Sequence, residues 1–232
     1  GTLPPAPPGS GGGRLLLGGA AHHAFRVEDA GQGLRQMAAV LARVRDYDGI
    51  IFHTYERFGV PVERVLETGI PQDRKAAQSY FRHLIAGGNL EGLGKAWEWV
   101  GARSLADDAL AGEYVSILLR QRQYGTAIDA WGRYLGEKKG DYLSRNSLFN
   151  SGFESEPTGC RLDWTVQPVN GAAAGLDGRV PFAGGKSLQI RFAGAENLDY
   201  RHVSQAAVVS PGRYRLRARV RTESITTDQG IG

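Results

Sequence analysis

The chain is poor in the residues that support covalent or metal-dependent chemistry. Cys160 is its only cysteine, so no intrachain disulfide, redox pair or cysteine-based zinc site can form. The five histidines show neither an HxH nor an HExxH spacing, so the sequence gives no support for a zinc site. A Gly-x-Ser-x-Gly nucleophile motif is also missing. We therefore expect no enzyme activity and no catalytic residue.

Long apolar runs are scarce as well. The longest leucine tract, Leu15–Leu17, is flanked by glycines and far shorter than the roughly 20 residues that cross a bilayer. We expect no membrane span. The net charge of +4 is spread along the chain, so it is weak evidence for an acidic partner. Because the chain starts at Gly1 without a leader, we expect any export signal or anchor to lie elsewhere.

Glycine, by contrast, is abundant, with 33 residues in the chain of 232. Proline pairs and a Gly/Ser tract occupy residues 1–13, and such segments cannot form a packed core. The sequence therefore predicts a Pro/Gly-rich linker or arm over residues 1–32.

From residue 33 the apolar residues recur at helical spacing, beginning with Leu34, Met37 and Leu41. The stretch that starts at residue 77 then repeats at residue 111, with an offset of 34. The equivalent pairs include Tyr80 and Tyr114, Leu84 and Leu118, and Trp97 and Trp131. Two helix-turn-helix patterns with one offset predict helical hairpins that bury a shared core by stacking.

These residues resemble tetratricopeptide repeats. The features that carry the resemblance are Gly87-Gly88 at the turn, Leu90 or Tyr124 opening the second helix, Ala127, and Trp97 or Trp131. Arg122 departs from the pattern because glycine is usual at that turn. The resemblance implies a helical-repeat fold over residues 33–147 that presents a concave surface to a protein partner.

After Asp141 the sequence becomes rich in turn-forming residues, and its apolar runs become short. Ser187–Phe192 and Tyr214–Val220 alternate with period two, which predicts half-buried strands of an antiparallel sheet. The residues expected to face inward are Leu188, Ile190, Phe192, Tyr214, Leu216, Ala218 and Val220.

Residues 148–232 resemble jelly-roll carbohydrate-binding modules, which have a galactose-binding-like fold. The resemblance rests on Asn150-x-Gly152-Phe153-Glu154, Asp163-Trp164, Gly184–Leu188, Val203 with Gln205, and Pro211-Gly212. A jelly roll needs about eight strands, and only four or five can be placed. The expected fold class is multidomain α plus β: α-helical hairpin repeats, then an antiparallel, jelly-roll-like β-sandwich that is incomplete at the C-terminus. Its unpaired edges favour aggregation, strand swapping or pairing with a partner.

This second resemblance implies a glycan or polysaccharide ligand and an extracytoplasmic location. Sugar binding needs aromatic faces for the pyranose ring and a few planar polar groups for its hydroxyls. The candidate ligand-binding residues are Trp164, Asn197, Tyr200, His202 and Gln205. Trp164 fits a core position equally well. The resemblance also implies that Glu154 either holds a structural calcium ion or is purely structural.

Five arginines alternate along the predicted strand Tyr214–Val220 and its flanks, namely Arg213, Arg215, Arg217, Arg219 and Arg221. They form either a cationic stripe for an acidic polysaccharide, phosphate or nucleic acid, or a solvated face paired with acids on neighbouring strands. We favour the paired face and expect no nucleic-acid partner.

The resulting hypothesis is a non-catalytic binding protein that serves bacterial polysaccharide assembly or export. Its helical repeats would bind a protein partner, and its sandwich would bind a glycan. Two alternatives stay open: a structural scaffold or adaptor without sugar affinity, and an accessory region of a larger glycan-active enzyme.

Overall fold

The structure is a computed structural model of the chain, and it describes residues 30–44, 46–195 and 198–225. These residues form seven α-helices followed by a small antiparallel strand region. The predicted arm over residues 1–32 lies almost wholly outside them. The chain divides into two compact units, Gly1–Asp107 and Asp108–Gly232. The boundary predicted after residue 147 follows the change from helices to strands, and it stays a prediction.

The described part of the first unit contains five helices. They are α1 (Ala30–Leu41), α2 (Asp48–Arg57), α3 (Val62–Arg64, continued by a π-helical turn over Val65–Gly69), α4 (Arg74–Ala86) and α5 (Leu90–Ala102). Gly59, with a φ of +63°, and Pro61 separate α2 from α3. None of the helices in the described ranges is long and apolar enough to cross a membrane.

Side-chain caps define where α4 and α5 begin. The Asp73 carboxylate accepts a hydrogen bond from the Ala76 amide at 2.9 Å, and the Asn89 side chain accepts one from the Gly92 amide at 2.8 Å. Each cap satisfies an amide that the first helical turn leaves without a partner.

The core of the first unit is built from the apolar stripes of its helices. Its fully buried side chains include Leu34, Leu41, Phe52, Tyr55, Val65, Phe81 and Leu93. The Tyr55 hydroxyl donates to the Gly69 carbonyl at 2.7 Å. A Cβ atom at Gly69 would lie 3.2 Å from side-chain atoms of Leu34 and Tyr55, so the close packing of the π-helical turn favours glycine.

The second unit begins with α6 (Asp108–Arg120) and α7 (Tyr124–Leu135), followed by a 3₁₀ turn over Gly136–Lys139. The first residues of α6 and α7 lie 34 positions after those of α4 and α5, the spacing predicted from the sequence. At the turn of this second hairpin, Arg122 has a φ of 59°, close to the +68° of the equivalent Gly88. The turn geometry is therefore the same, although the residue type differs.

An irregular segment after α7 packs onto the second hairpin. Trp131 is fully buried, and its ring meets Phe149 edge-on at 5.8 Å. Tyr142 packs on the same phenylalanine at 5.7 Å. A Cβ atom on Gly112 of α6 would lie 3.6 Å from the Cα of Cys160, so the backbone approaches the helix closely there. The irregular segment that leads to the strands is thus anchored to the second hairpin by buried aromatic and small side chains.

Four strands follow: β1 (Thr165–Val166), β2 (Ala172–Asp177), β3 (Ser187–Phe192) and β4 (Val203–Ser204). β1 pairs with β4, and β2 pairs with β3, both antiparallel. The strand predicted at Ser187–Phe192 is confirmed as β3. In the described part of the chain the strands form two separate two-stranded sheets rather than a closed sandwich.

The predicted half-buried strand at Tyr214–Val220 is wrong. Residues 211–225 are exposed and contain no strand, and the Leu216 side chain is 81% exposed. The other residues predicted to face inward there, Tyr214, Ala218 and Val220, are exposed as well. Alternation is a local pattern, whereas a strand needs a neighbour for its backbone hydrogen bonds, and none of the described strands pairs with this segment.

Candidate ligand-binding site

Trp164 is held by the loop that precedes it. Its indole N–H donates to the Asn150 carbonyl at 2.9 Å, and its ring stacks on Phe153 at 4.7 Å. The Asn150 side chain closes this loop through hydrogen bonds to both backbone groups of Ser155. The segment from Asn150 to Ser155 is therefore a turn, and Trp164 stabilises it.

The carboxylate of Asp163 holds the backbone that leads into Trp164. Asp163 is fully buried, and one oxygen accepts hydrogen bonds from the amide and hydroxyl of Thr158, both at 2.8 Å. Its other oxygen accepts from the Trp164 amide at 2.7 Å. These three bonds compensate for the burial of a charged group and hold the backbone at Trp164 in one conformation.

Gln205 lies beside Trp164, because β1 pairs with β4 in the register Thr165↔Ser204. Its side-chain amide donates to the carbonyls of Phe149 at 3.0 Å and Leu162 at 2.9 Å. The polar N–H groups of Trp164 and Gln205 are therefore engaged by backbone carbonyls. Both predicted ligand residues help to hold the loops together.

Glu154 joins its loop to the β2–β3 turn. Its carboxylate accepts hydrogen bonds from the amides of Gly185, at 3.1 Å, and Lys186, at 3.4 Å. Gly184 in this turn has a φ of +78°, a conformation that favours glycine. In the described ranges, no group of three or more His, Cys, Asp or Glu side chains is placed to hold a metal ion. A calcium role for Glu154 stays a prediction.

Tyr200 and His202 do come together, and Phe192 joins them. The Tyr200 ring meets Phe192 edge-on at 5.4 Å and lies 5.1 Å from the His202 ring. Phe192, the last residue of β3, was expected to face inward but is 49% exposed. We call these three residues the aromatic cluster. The alternating pattern predicted Phe192 on the buried face, and its place in an exposed cluster was therefore missed. The end of a short strand need not be covered by another layer.

The surroundings of the aromatic cluster are polar. Burial raises the pKa of Tyr200 above its ordinary value, so the hydroxyl stays protonated at physiological pH and can donate as well as accept. Next to it, the Arg201 guanidinium pairs with the Asp199 carboxylate at 3.1 Å, and both side chains are well exposed. The fifth predicted residue, Asn197, lies outside the described residues.

The five arginines of residues 213–221 are all exposed. One of them, Arg219, lies over the ring of Phe182, with its guanidinium carbon 5.1 Å from the ring centroid. None of the five pairs with a carboxylate in the part of the chain that the structure describes. The solvated face is therefore present, but the neighbouring acids expected beside it are not found there.

Comparison of the chain with family models, with curated proteins and with solved structures found no match in any of the three.

Proposed function

We propose that the protein is a non-catalytic binding protein whose strand region binds a glycan and whose helices bind a protein partner. The aromatic cluster of Phe192, Tyr200 and His202 is the observation that carries the glycan half. It combines a half-exposed ring with a protonated phenol and an imidazole. We infer that Phe192 and Tyr200 stack on the apolar side of a pyranose ring, because carbohydrate sites combine exposed rings with a few directed polar groups.

The polar groups beside the cluster suit the hydroxyls of a sugar. The Asp199 carboxylate accepts hydrogen bonds only, whereas the Arg201 guanidinium donates only. Together with the Tyr200 hydroxyl and the His202 ring they offer both kinds of partner within one short segment. A sugar hydroxyl donates and accepts at once, so a mixed set of this kind favours binding.

The architecture proposed for this role is a tetratricopeptide-like helical part followed by a galactose-binding-like, jelly-roll-related part. The helix spacing of 34 residues and the order of helices before antiparallel strands support it. By resemblance alone we propose an extracytoplasmic location and a role in bacterial polysaccharide assembly or export.

Glycan binding is tested by screening the whole chain on an array of bacterial and plant polysaccharides, followed by titration of the strongest ligand. We expect Tyr200→Ala and Phe192→Ala to weaken binding at least about tenfold, since stacking on an aromatic ring carries much of the affinity. Tyr214→Ala is the matched control, because it removes an exposed tyrosine of the same unit that lies outside the cluster. Wild-type affinity of the cluster variants would refute the assignment.

A structural scaffold without sugar affinity is the second candidate. The hydrogen bonds of Trp164 and Gln205 to backbone carbonyls favour it, because these two residues then stabilise loops and bind no ligand. It predicts that no glycan on the array is retained by the wild-type chain. It also predicts that Trp164→Ala lowers the unfolding temperature, because the loop around Asn150 loses its support.

A further inference from the structure

A groove of about 440 Å³ lies within the first unit, bounded by the end of α2, by α3, by α4 and by the start of α5. Its volume falls within the roughly 300–1,000 Å³ that is usual for ligand sites. The charged and hydroxyl-bearing residues that line it are Glu56, Glu63, Tyr80, Glu91 and Lys95. We call this the acidic groove, since three carboxylates and a single ammonium group line it.

Lys95 shows that the acidic groove accommodates a cation. Its ammonium nitrogen lies 2.6 Å from a carboxylate oxygen of Glu63 and 2.6 Å from one of Glu91. Hydrogen bonding to Glu63 and then to Glu91 raises the pKa of Lys95 to about 12, and the bond from Lys95 lowers the pKa of Glu63. Lys95 therefore stays charged, and its single positive charge is shared between Glu63 and Glu91.

Glu56 is positioned at the other side of the groove by histidines. Its carboxylate lies 2.9 Å from the Nε2 atom of His83 and 3.5 Å from the Nδ1 atom of His53. The side chain of Glu56 is 48% exposed, so it remains open to an incoming group. The contact with His83 limits its rotamers and thus prepares the carboxylate for binding.

Tyr80 supplies an independent sign that the groove can bind a ligand. The residue is only 4% exposed, and its ring packs on Phe52 at 5.1 Å. No hydrogen bond joins its hydroxyl to any residue that the structure describes. Burial, and then the charges of Glu56 and Glu63, raise the pKa of Tyr80 well above its usual range. The hydroxyl borders the acidic groove near these two carboxylates, so it is available to a hydrogen-bond donor that enters the groove.

We propose that the acidic groove binds a cationic side chain from an extended segment of a protein partner, arginine in preference to lysine. The carboxylates of Glu56 and Glu63 and the Tyr80 hydroxyl accept its N–H groups. Arginine is preferred because its fixed fork of five donors can reach several acceptors at once. A metal ion suits the groove poorly, since no three acidic groups in the described ranges converge on one point. The proposal rests on the protein-binding role given to the helices.

The test uses the whole chain and a fluorescent peptide of sequence Ser-Gly-Arg-Ser-Arg-Gly-Ser, titrated by anisotropy at low salt. A second peptide carries citrulline, the neutral isostere, in place of arginine. We expect the arginine peptide to bind at least about tenfold more tightly, because hydrogen bonds between charged groups are roughly twice as strong as neutral ones. Raising the salt concentration should weaken its binding, since the groove is open to solvent.

Two variants locate the site. Tyr80→Phe removes the hydroxyl and keeps the ring, so we expect weaker peptide binding at an unchanged unfolding temperature. Glu56→Gln should weaken binding further, because it removes a charge. Tyr114→Phe is the matched control at the equivalent position of the second hairpin, and it should bind like the wild type.

Equal affinity for the citrulline peptide, or wild-type affinity of Tyr80→Phe and Glu56→Gln, would overturn the proposal. So would the absence of arginine-peptide binding at millimolar concentration. A third peptide, with glutamate in place of arginine, distinguishes a wrong ligand charge from a wrong protein-binding role. If it binds instead, the cationic ligand is wrong and the protein-binding role stands. The Tyr200→Ala variant should bind the arginine peptide normally, so failure of the glycan assignment is detected independently.

Discussion

The two helical hairpins, α4–α5 and α6–α7, share their spacing and their large buried side chains but differ in the local devices that shape them. Trp97 and Trp131 occupy equivalent buried positions. The turn of the first hairpin has Gly88 and the cap of Asn89, whereas the second has Arg122 and Gln123, and Gln123 makes no side-chain cap bond.

This difference shows which features specify the hairpin. A left-handed residue is present in both turns, so the geometry is required even where the residue type does not favour it. Packing of buried rings supplies most of the stability of a short helix, and caps and turn residues adjust it by smaller amounts. The second hairpin should therefore depend more heavily on its core than the first.

The largest expected effect comes from the buried tryptophans. We expect Trp131→Ala to lower the free energy of unfolding by about 3–5 kcal/mol, because it empties a fully buried site that Phe149 helps to enclose. Trp97→Ala, at a site that is 6% exposed, should cost somewhat less. Chemical denaturation followed by far-UV circular dichroism measures both. A loss below about 1 kcal/mol for Trp131→Ala would contradict the importance given to the core.

The turns should respond in opposite directions. Gly88→Ala forces a side chain into the left-handed region and should destabilise the protein by about 1–2 kcal/mol, whereas Arg122→Gly should relieve a similar strain and stabilise it. Thermal unfolding of the two variants checks the signs. Stabilisation by Gly88→Ala would show that the turn does not need the left-handed conformation.

Substitutions at the helix N-caps are expected to change stability less than those in the turns. Asn89→Ala removes the acceptor for the Gly92 amide and should cost about 1 kcal/mol. Gln123→Ala removes no cap bond and should be nearly neutral, while Gln123→Asn should add stability. Urea midpoints of the three variants provide the comparison. Equal losses for Asn89→Ala and Gln123→Ala would show that the caps of the two hairpins do not differ.

The smallest effect is expected outside both hairpins. Leu216→Ala should change stability by less than about 0.5 kcal/mol, because the side chain is 81% exposed and little area is uncovered by its removal. A loss of several kcal/mol in the free energy of unfolding would show instead that Tyr214–Val220 forms a half-buried strand.

The contrast between the helices and the strands explains how much the sequence could predict. The hairpins follow from contacts within short distances along the chain, so Tyr80 and Trp97 and their partners 34 residues later were found by periodicity. The strand at Ser187–Phe192 was found in the same way. The segment around Leu216 shows the same alternation, but pairing depends on distant residues, which periodicity does not report.

The candidate sites show the same limit. Tyr200 and His202 are two positions apart and were predicted together, whereas Phe192 reaches them through the fold. Trp164 and Gln205 were chosen for their chemistry, yet loops around Asn150 and Phe149 engage their N–H groups. The acidic groove was not predicted, because Glu56, Glu63 and Lys95 line one groove only once four helices have packed.

The glycan assignment is tested most directly by NMR titration of the labelled full chain with the strongest array ligand. We expect the largest shift changes on the amides and rings of Phe192, Tyr200 and His202, while the signals of Glu63 and Lys95 stay unshifted. Changes centred on the acidic groove, or on Trp164 without Tyr200, would contradict it.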